Sequence, residues 1–288
     1  MRQFLTIDTG GTKTRIVQFE DVSDSDEAYY APVLHEAEIP TPHDGDEYIA
    51  QVADCIKQNF PDFIKSPEEN VVILVTRGIV KNNILVSDTL LGWYDFDIAK
   101  ELSARLGGMK IFVQNDGRLG AYGAFPPSFR GRGLYLAPGT GMGGGLMING
   151  DPSHDIVSFE AAHMMIERNG ELIEWERIAS AKAWIELSGG RRGEDVPAGD
   201  PLWRQYAENL AAGIVILLPL FNPDTIVFCG KMAEFFDKYA DDLRQIVAEE
   251  AWPPVAQVEI AVVVDPRHTI NRGALMFGLK QMEEDDKN

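Results

Sequence analysis

The sequence predicts an α/β protein. Short β-branched runs alternate with stretches of helical period along most of the chain. A strand–glycine turn–strand unit near the start, Phe4 to Gly11, can be laid over a second one, Leu134 to Gly141, in the other half. At 288 residues the chain is long enough for two domains of about 150 residues each.

The elements follow in order. Phe4–Ile7 reads as a buried strand and Arg15–Glu20 as its hairpin partner across Gly10-Gly11. Tyr48, Ile49, Val52, Ile56 and Phe60 give the stretch 47–60 a helical period. Val71–Val75 is a strand. Asp97 caps a helix over 98–106, with Gly107 just after it. Ile111–Val113 is a strand ending at Gln114-Asn115-Asp116. In the second half Leu134–Ala137 and Leu146–Ile148 are strands on either side of the glycines. Helices are expected at about 172–187, 202–220 and 232–250, with a Gly/Pro-rich loop at 188–201. Strands at 225–229 and 258–264 and a last helix at 272–282 complete the pattern.

Composition narrows the function. The hydrophobic fraction is 45% and the charged fraction 25%, ordinary for a soluble globular protein. The net charge of −19 repels nucleic acid and anionic membranes, which bind through positive fields. Two cysteines, Cys55 and Cys229, allow no disulfide framework and no CxxC metal pair, which suits a reducing cytoplasm. The apolar start is too short for a secretory leader, and the run 213–221 is too short to span a membrane. The acidic tail from Glu283 to Asn288 reads as solvated.

The chemistry points first to the two turns, Asp8–Arg15 and Gly139–Gly145. Small residues after a buried strand leave backbone N–H groups pointing outward, a nest that attracts phosphate oxygens. Glycine lets a phosphate approach the backbone closely. Thr12, Lys13, Thr14 and Thr140 add side-chain donors, and Asp8 could bind Mg²⁺ directly or through water. A Gly-Gly pair is equally an ordinary hairpin turn. Neither turn is a Walker A loop, and neither opens into a helix as a dinucleotide site would.

Asp116, at a strand end, suits a general base that takes the proton of an attacking hydroxyl; Asn-Asp-Gly also closes a strand as an Asx turn. Glu160 and His163 face together if locally helical, and read equally as a surface ion pair. Glu174 and Glu176 open an amphipathic stretch whose acids read as a solvated face. Arg191-Arg192 reads as a solvated loop or as a clamp on a donor phosphate.

Taken in series, these residues resemble the ROK family of sugar kinases. The run from Ile7 to Lys13 is similar to its DxGGT motif, and the run from Gly139 to Gly145 to its GTGxGGG motif. Asn115-Asp116 matches its ND pair, and Glu160-x-x-His163 its ExGH with Ala162 for glycine. Glu176 followed by Ser180 resembles the acidic sugar-binding position, and Asn222 to Gly230 the adenosine-side strand.

The resemblance implies two actin-like ATPase (ribonuclease H-like) domains with a cleft between them, a small one over 1–113 plus 271–288 and a large one over 114–270. It implies ATP- and Mg²⁺-dependent phosphorylation of a hexose, glucokinase-like, or hexosamine hydroxyl. Asp116 would be the base, and Asn115, Asp116, Glu160, His163 and Glu176 would bind the sugar. Asp8, Gly10, Gly11, Thr12, Lys13, Gly139, Thr140, Gly141 and Gly230 would hold nucleotide and phosphate, with Asp8 on Mg²⁺. Dimers are common in the family.

Three departures stand out. The family's CxCGxxGC zinc site has no cysteine counterpart over 164–174, so no structural zinc is expected. Thr89 replaces a sugar-contacting asparagine, and Cys229-Gly230-Lys231 replaces GGG. Zinc-free relatives include polyphosphate-dependent glucokinases, an alternative donor. A non-catalytic sugar sensor is the rival class. Repressors of the family carry an N-terminal helix-turn-helix, for which the position of Asp8 is expected to leave no room.

Overall fold

The computed structural model describes residues 2–152, 159–168 and 170–287. The chain begins with strands β1 (Phe4–Thr9) and β2 (Lys13–Phe19), helix α1 (Ser25–Tyr30), strand β3 (Val33–Pro40) and helix α2 (Gly45–Asn59). Strands β4 (Val71–Thr76), β5 (Ile79–Lys81), β6 (Ile84–Asp88) and β7 (Trp93–Phe96) follow, then α3 (Ile98–Arg105), β8 (Lys110–Asn115) and α4 (Asp116–Ala124). Next come β9 (Arg132–Pro138), β10 (Met142–Ile148), β11 (Asp151–Pro152), β12 (Met165–Arg168) and β13 (Glu171–Glu174). The chain ends with α5 (Glu176–Ala179), α6 (Ala181–Leu187), α7 (Pro201–Phe221), β14 (Thr225–Phe228), α8 (Ala240–Glu250), β15 (Glu259–Val262) and α9 (Thr269–Asp285).

The chain divides into two compact units. One comprises Met1–Phe129, Gly150–Ser158 and Arg267–Asn288; the other comprises Arg130–Asn149 and Phe159–Pro266. The sequence-expected boundary at 113/114 thus falls inside the first unit, which keeps α4 and takes the chain back at Arg267.

In the first unit the sheet order is β3-β2-β1-β4-β8. β1 pairs antiparallel with β2 and parallel with β4, which is parallel to β8. β4 is buried along its whole length, Val71–Thr76, as a central parallel strand covered on both faces must be. Alternation sorts its neighbours. Leu5, Ile7, Val72 and Leu74 share a core with Tyr48, Ile49, Val52 and Ile56 of α2. Phe4, Thr6 and Ile73 face the other way, toward α9, where Asn271 Nδ2 donates to Thr6 Oγ1 (3.0 Å) and Gly278 lies against Ile73 and Phe4.

The second unit repeats this arrangement. Four of its strands run in the order β10-β9-β14-β15, antiparallel across the first pair and parallel across the others. Its core joins Leu134, Leu136, Ile226 and Phe228 to the inner faces of α7 and α8. Trp184 and Trp203 stack in that core with ring centroids 4.0 Å apart.

Several expectations need correction. The helix expected over 172–187 begins as a strand, β13, paired with β12, and only then becomes two short helices divided at Ser180. The stretch 232–250 is a 3-10 segment, Lys231–Lys238, followed by α8. The second strand of the later hairpin starts at Met142, so Gly143, Gly144 and Gly145 lie within it rather than in the turn. Gly144 is needed there: a Cβ would stand 2.9 Å from Phe159 Cδ1. The sequence reading had no counterpart for α1, β3, the β5-β6-β7 meander or α4.

Candidate functional site

The first turn is Gly10-Gly11-Thr12. Gly10 N donates to Lys13 O (2.9 Å), and Thr9 faces Thr14 as the last ladder pair. Asp8 stands one residue before that pair, opposite Arg15. Burial pushes its carboxyl up to about 6, with Arg15 pulling the other way. A carboxylate oxygen beside the glycine turn, its charge only partly offset by Arg15, is a donor of the kind Mg²⁺ takes. Lys13 does not join the turn. Its side chain is exposed and donates to Glu38 Oε1 (2.6 Å) on β3.

The turn and the expected base share one sheet edge. Thr9, Thr76 and Asn115 are in register across β1, β4 and β8. The turn after Thr9 and the carboxylate after Asn115 therefore leave the sheet two strand spacings apart, roughly 10 Å. Ligands gather beyond the carboxyl ends of strands in α/β sheets.

Asn115 does more than end a strand. Its Oδ1 accepts from Arg118 N (3.0 Å) and caps α4, while its Nδ2 donates to Gly78 O (2.8 Å). Asp116 is the first residue of α4 and is half-buried, and its Oδ1 accepts from Gly117 N (2.8 Å). The Asx-turn alternative is thus replaced by a helix N-terminus, whose dipole favours an ionised carboxylate.

The second turn is Gly139-Thr140-Gly141, closed by Gly139 N donating to Gly141 O (2.9 Å). It is framed from α5 and α6. Ala181 N donates to Gly139 O (2.8 Å), and Glu176 Oε2 accepts from Met142 N (3.1 Å). A Cβ on Gly141 would stand 2.7 Å from that same oxygen. Glu176, expected on the sugar, is therefore also the buttress of the second turn. Gly230, in the left-handed region at φ 79°, passes close to the end of β9, where its Cβ would lie 3.0 Å from Pro138 O.

Glu160 precedes a 3-10 turn, Ala161–His163, and its carbonyl accepts from His163 N (3.1 Å). Ser158, which precedes this stretch, lies outside the described residues. The His163 ring pairs instead with Glu174, at 3.5 Å from Nδ1 to Oε1. Ligand atoms of His163, Glu174 and Glu176 lie within 4.8 Å of one another, a spacing from which a divalent cation could be held. Glu174 was read as a solvated helix face. It reaches His163 because β13 is a strand, which no helical period could reveal.

Arg191 and Arg192 are engaged within their own loop. Arg191 Nε donates to Ser188 O (3.1 Å), and Arg192 Nε to Asp195 Oδ2 (3.0 Å). Lys238 pins the loop by donating to Gly193 O and Val196 O. These contacts favour an ordered structural loop over a phosphate clamp.

Among the described residues no helix is long and apolar enough to cross a membrane. A fructokinase from Lactococcus lactis subsp. cremoris is 25% identical over 160 residues, covering 52% of this chain and 55% of that protein. The xylose repressor of Bacillus spizizenii is 24% identical over 205 residues, covering 63% of this chain and 53% of that protein. The chain spans about half the length of these curated relatives. A ROK family glucokinase from Streptomyces griseus, solved with glucose and AMPPNP, superposes with a TM-score of 0.75 at 19% identity. That superposition covers 94% of this chain and 97% of that one, and establishes the two-domain actin-like ATPase fold. The ROK family model matches residues 4–277, from the first strand into the last helix, and the chain belongs to the ROK family.

Proposed function

We propose that the chain is a carbohydrate kinase that transfers the γ-phosphoryl group of ATP to a hydroxyl of a hexose or hexosamine. The observation that carries this reading is the shared edge of the first sheet, where the Gly10–Thr12 turn and Asp116 emerge from strands in register. One end of that edge suits a phosphate and the other suits a proton acceptor.

In this reading the acceptor oxygen bonds to the γ-phosphorus as the bond to the β–γ bridging oxygen breaks. ADP leaves with that electron pair, and Asp116 takes the hydroxyl proton. Asn115, Glu160, His163 and Glu176 complete the sugar-binding set. Gly139, Thr140, Gly141 and Gly230 of the second unit, and Gly10, Gly11 and Thr12 of the first, are assigned backbone and hydroxyl contacts to the nucleotide. Lys13 serves only if it leaves Glu38. Mg²⁺, held through Asp8, would neutralise charge on the phosphates.

A coupled phosphorylation assay over a sugar panel, with ATP and polyphosphate as separate donors, tests the reading. Asp116→Asn keeps an acceptor for Gly117 N, so it should fold while kcat falls by roughly 10³-fold or more. Near-full activity of that variant would remove Asp116 as the base. The xylose repressor among the relatives supports a second reading, a sugar-binding protein without turnover. Sugar binding with no phosphorylation from either donor would establish it.

A further inference from the structure

We propose that Arg77 is a further ligand of the transferring phosphoryl group, its guanidinium closing over an anion held at the Gly10–Thr12 turn. This rests on the kinase reading above and names a residue that neither the glycine motif nor the Asn-Asp pair contains.

Position is the first argument. Arg77 follows directly on β4, the strand between β1 and β8, so it leaves the sheet between the glycine turn and Asn115-Asp116. Its Nη1 lies 3.1 Å from where a Cβ on Gly11 would stand. Leu90 Cδ2 lies 2.3 Å from the same point, so a side chain at residue 11 would have to displace the tips of Leu90 and Arg77. Glycine there brings the guanidinium against the backbone of the turn.

The second argument is that the segment is held from both sides. Gly78 adopts φ 77°, and a Cβ on it would stand 2.0 Å from Ser87 O, so the backbone after Arg77 is packed against β6. Gly78 O accepts from Asn115 Nδ2 (2.8 Å), which ties the same segment to the residue capping α4. Asp88, buried at the end of β6, accepts from Leu90 N and Leu91 N and fixes the leucine beside the guanidinium.

Charge is the third. Arg77 is half-buried, and among the described residues its guanidinium has no hydrogen-bond or ion-pair partner. The chain has 45 acidic side chains to satisfy 26 basic ones, yet among the described residues none is set against this one. A guanidinium stays charged at any working pH and presents a planar fork that matches two phosphate oxygens. The group that completes it is a terminal phosphoryl, of a nucleoside triphosphate or of an inorganic polyphosphate.

The test uses the full chain and inorganic tripolyphosphate as the probe, followed by calorimetry, beside steady-state kinetics with the preferred sugar. Arg77→Gln should weaken tripolyphosphate binding by about tenfold or more, leave ADP binding unchanged, and lower kcat by roughly 10²–10³-fold with KM for sugar within a few-fold. Arg77→Lys should recover part of kcat, because the charge returns without the fork. Thermal unfolding of each variant checks the fold, and the lysine variant carries the test if the glutamine variant does not fold. Tripolyphosphate affinity and turnover within about threefold of wild type in Arg77→Gln would overturn the proposal, as would a wild-type chain that binds no tripolyphosphate. Turnover that ignores Arg77 sinks this inference alone. Arg77-dependent tripolyphosphate binding without phosphorylation of any sugar sinks the kinase reading alone.

Discussion

Asp8 illustrates how a single side chain sets a pH dependence. Its carboxyl is raised from 3.8 to about 6 by burial, against the pull of Arg15. Between about pH 4 and pH 6 the folded chain holds a proton that the unfolded chain has released. Stability from this group is therefore greatest below pH 4 and falls as pH rises through 6. Asp8→Asn should unfold at a higher temperature than wild type at pH 7.5, with the difference closing toward pH 4; a constant difference across that range would refute the assignment. The same variant should lose Mg²⁺-dependent nucleotide binding. Glu176 offers a separate test. Glu176→Gln keeps an acceptor for Met142 N, whereas Glu176→Ala leaves that donor unpaired and should lose about 1 kcal/mol in denaturant titration. Both should raise KM for sugar if the carboxylate also meets a sugar hydroxyl.

At the scale of elements, α4 and α9 meet through glycines. A Cβ on Gly123 would stand 1.8 Å from Thr269 O, and one on Gly273 would stand 1.8 Å from Leu119 O. Both obstacles are backbone, which cannot swing aside as a side chain does. Gly123→Ala or Gly273→Ala should destabilise the chain by roughly 2–4 kcal/mol, measured by urea unfolding, despite alanine's better helix propensity. Loss of activity should follow, since α4 begins with Asp116. This crossing also explains what the sequence concealed. Gly117, Gly120 and Gly123 each weaken the intrinsic helix propensity of this stretch, and close packing against α9 offsets that cost. The two hairpins were legible because β-branched and apolar runs flank their glycines, a signal local to a few residues. Glu174 and Arg77 were not legible. Their importance lies in neighbours distant in sequence, His163 and Gly11. The Asn115-Asp116 pair was visible as chemistry, but its place at a helix start was not.

For the molecule as a whole, the two units differ in how the chain supplies them. The second is nearly continuous, whereas the first is assembled from three segments. Arg267 and His268 anchor the last of these to Glu36 on β3, whose carboxyl is lowered to about 2, chiefly by the Arg267 hydrogen bond, with burial opposing and His268 and Arg15 assisting. That anchor gives stability above the ordinary glutamate range near 4.5 and loses it as pH falls toward 2. Removing residues 267–288 should leave a chain that fails to unfold as a single cooperative transition and binds a hydrophobic dye, because Phe4, Ile73 and Leu119 lose their cover. A matching wild-type transition would show that α9 is dispensable.

The docking of α9 has a temporal side. During synthesis the strands of the first sheet emerge before the second unit, whereas the helix bearing Asn271 and Gly278 emerges only after it. The first unit thus cannot close until the second has been made, and its exposed face must wait through that synthesis. A stalled chain ending at Pro266 should remain protease-sensitive over residues 1–129 while the inserted unit resists, so the seventeen-residue helix α9 acts as the clasp that times folding.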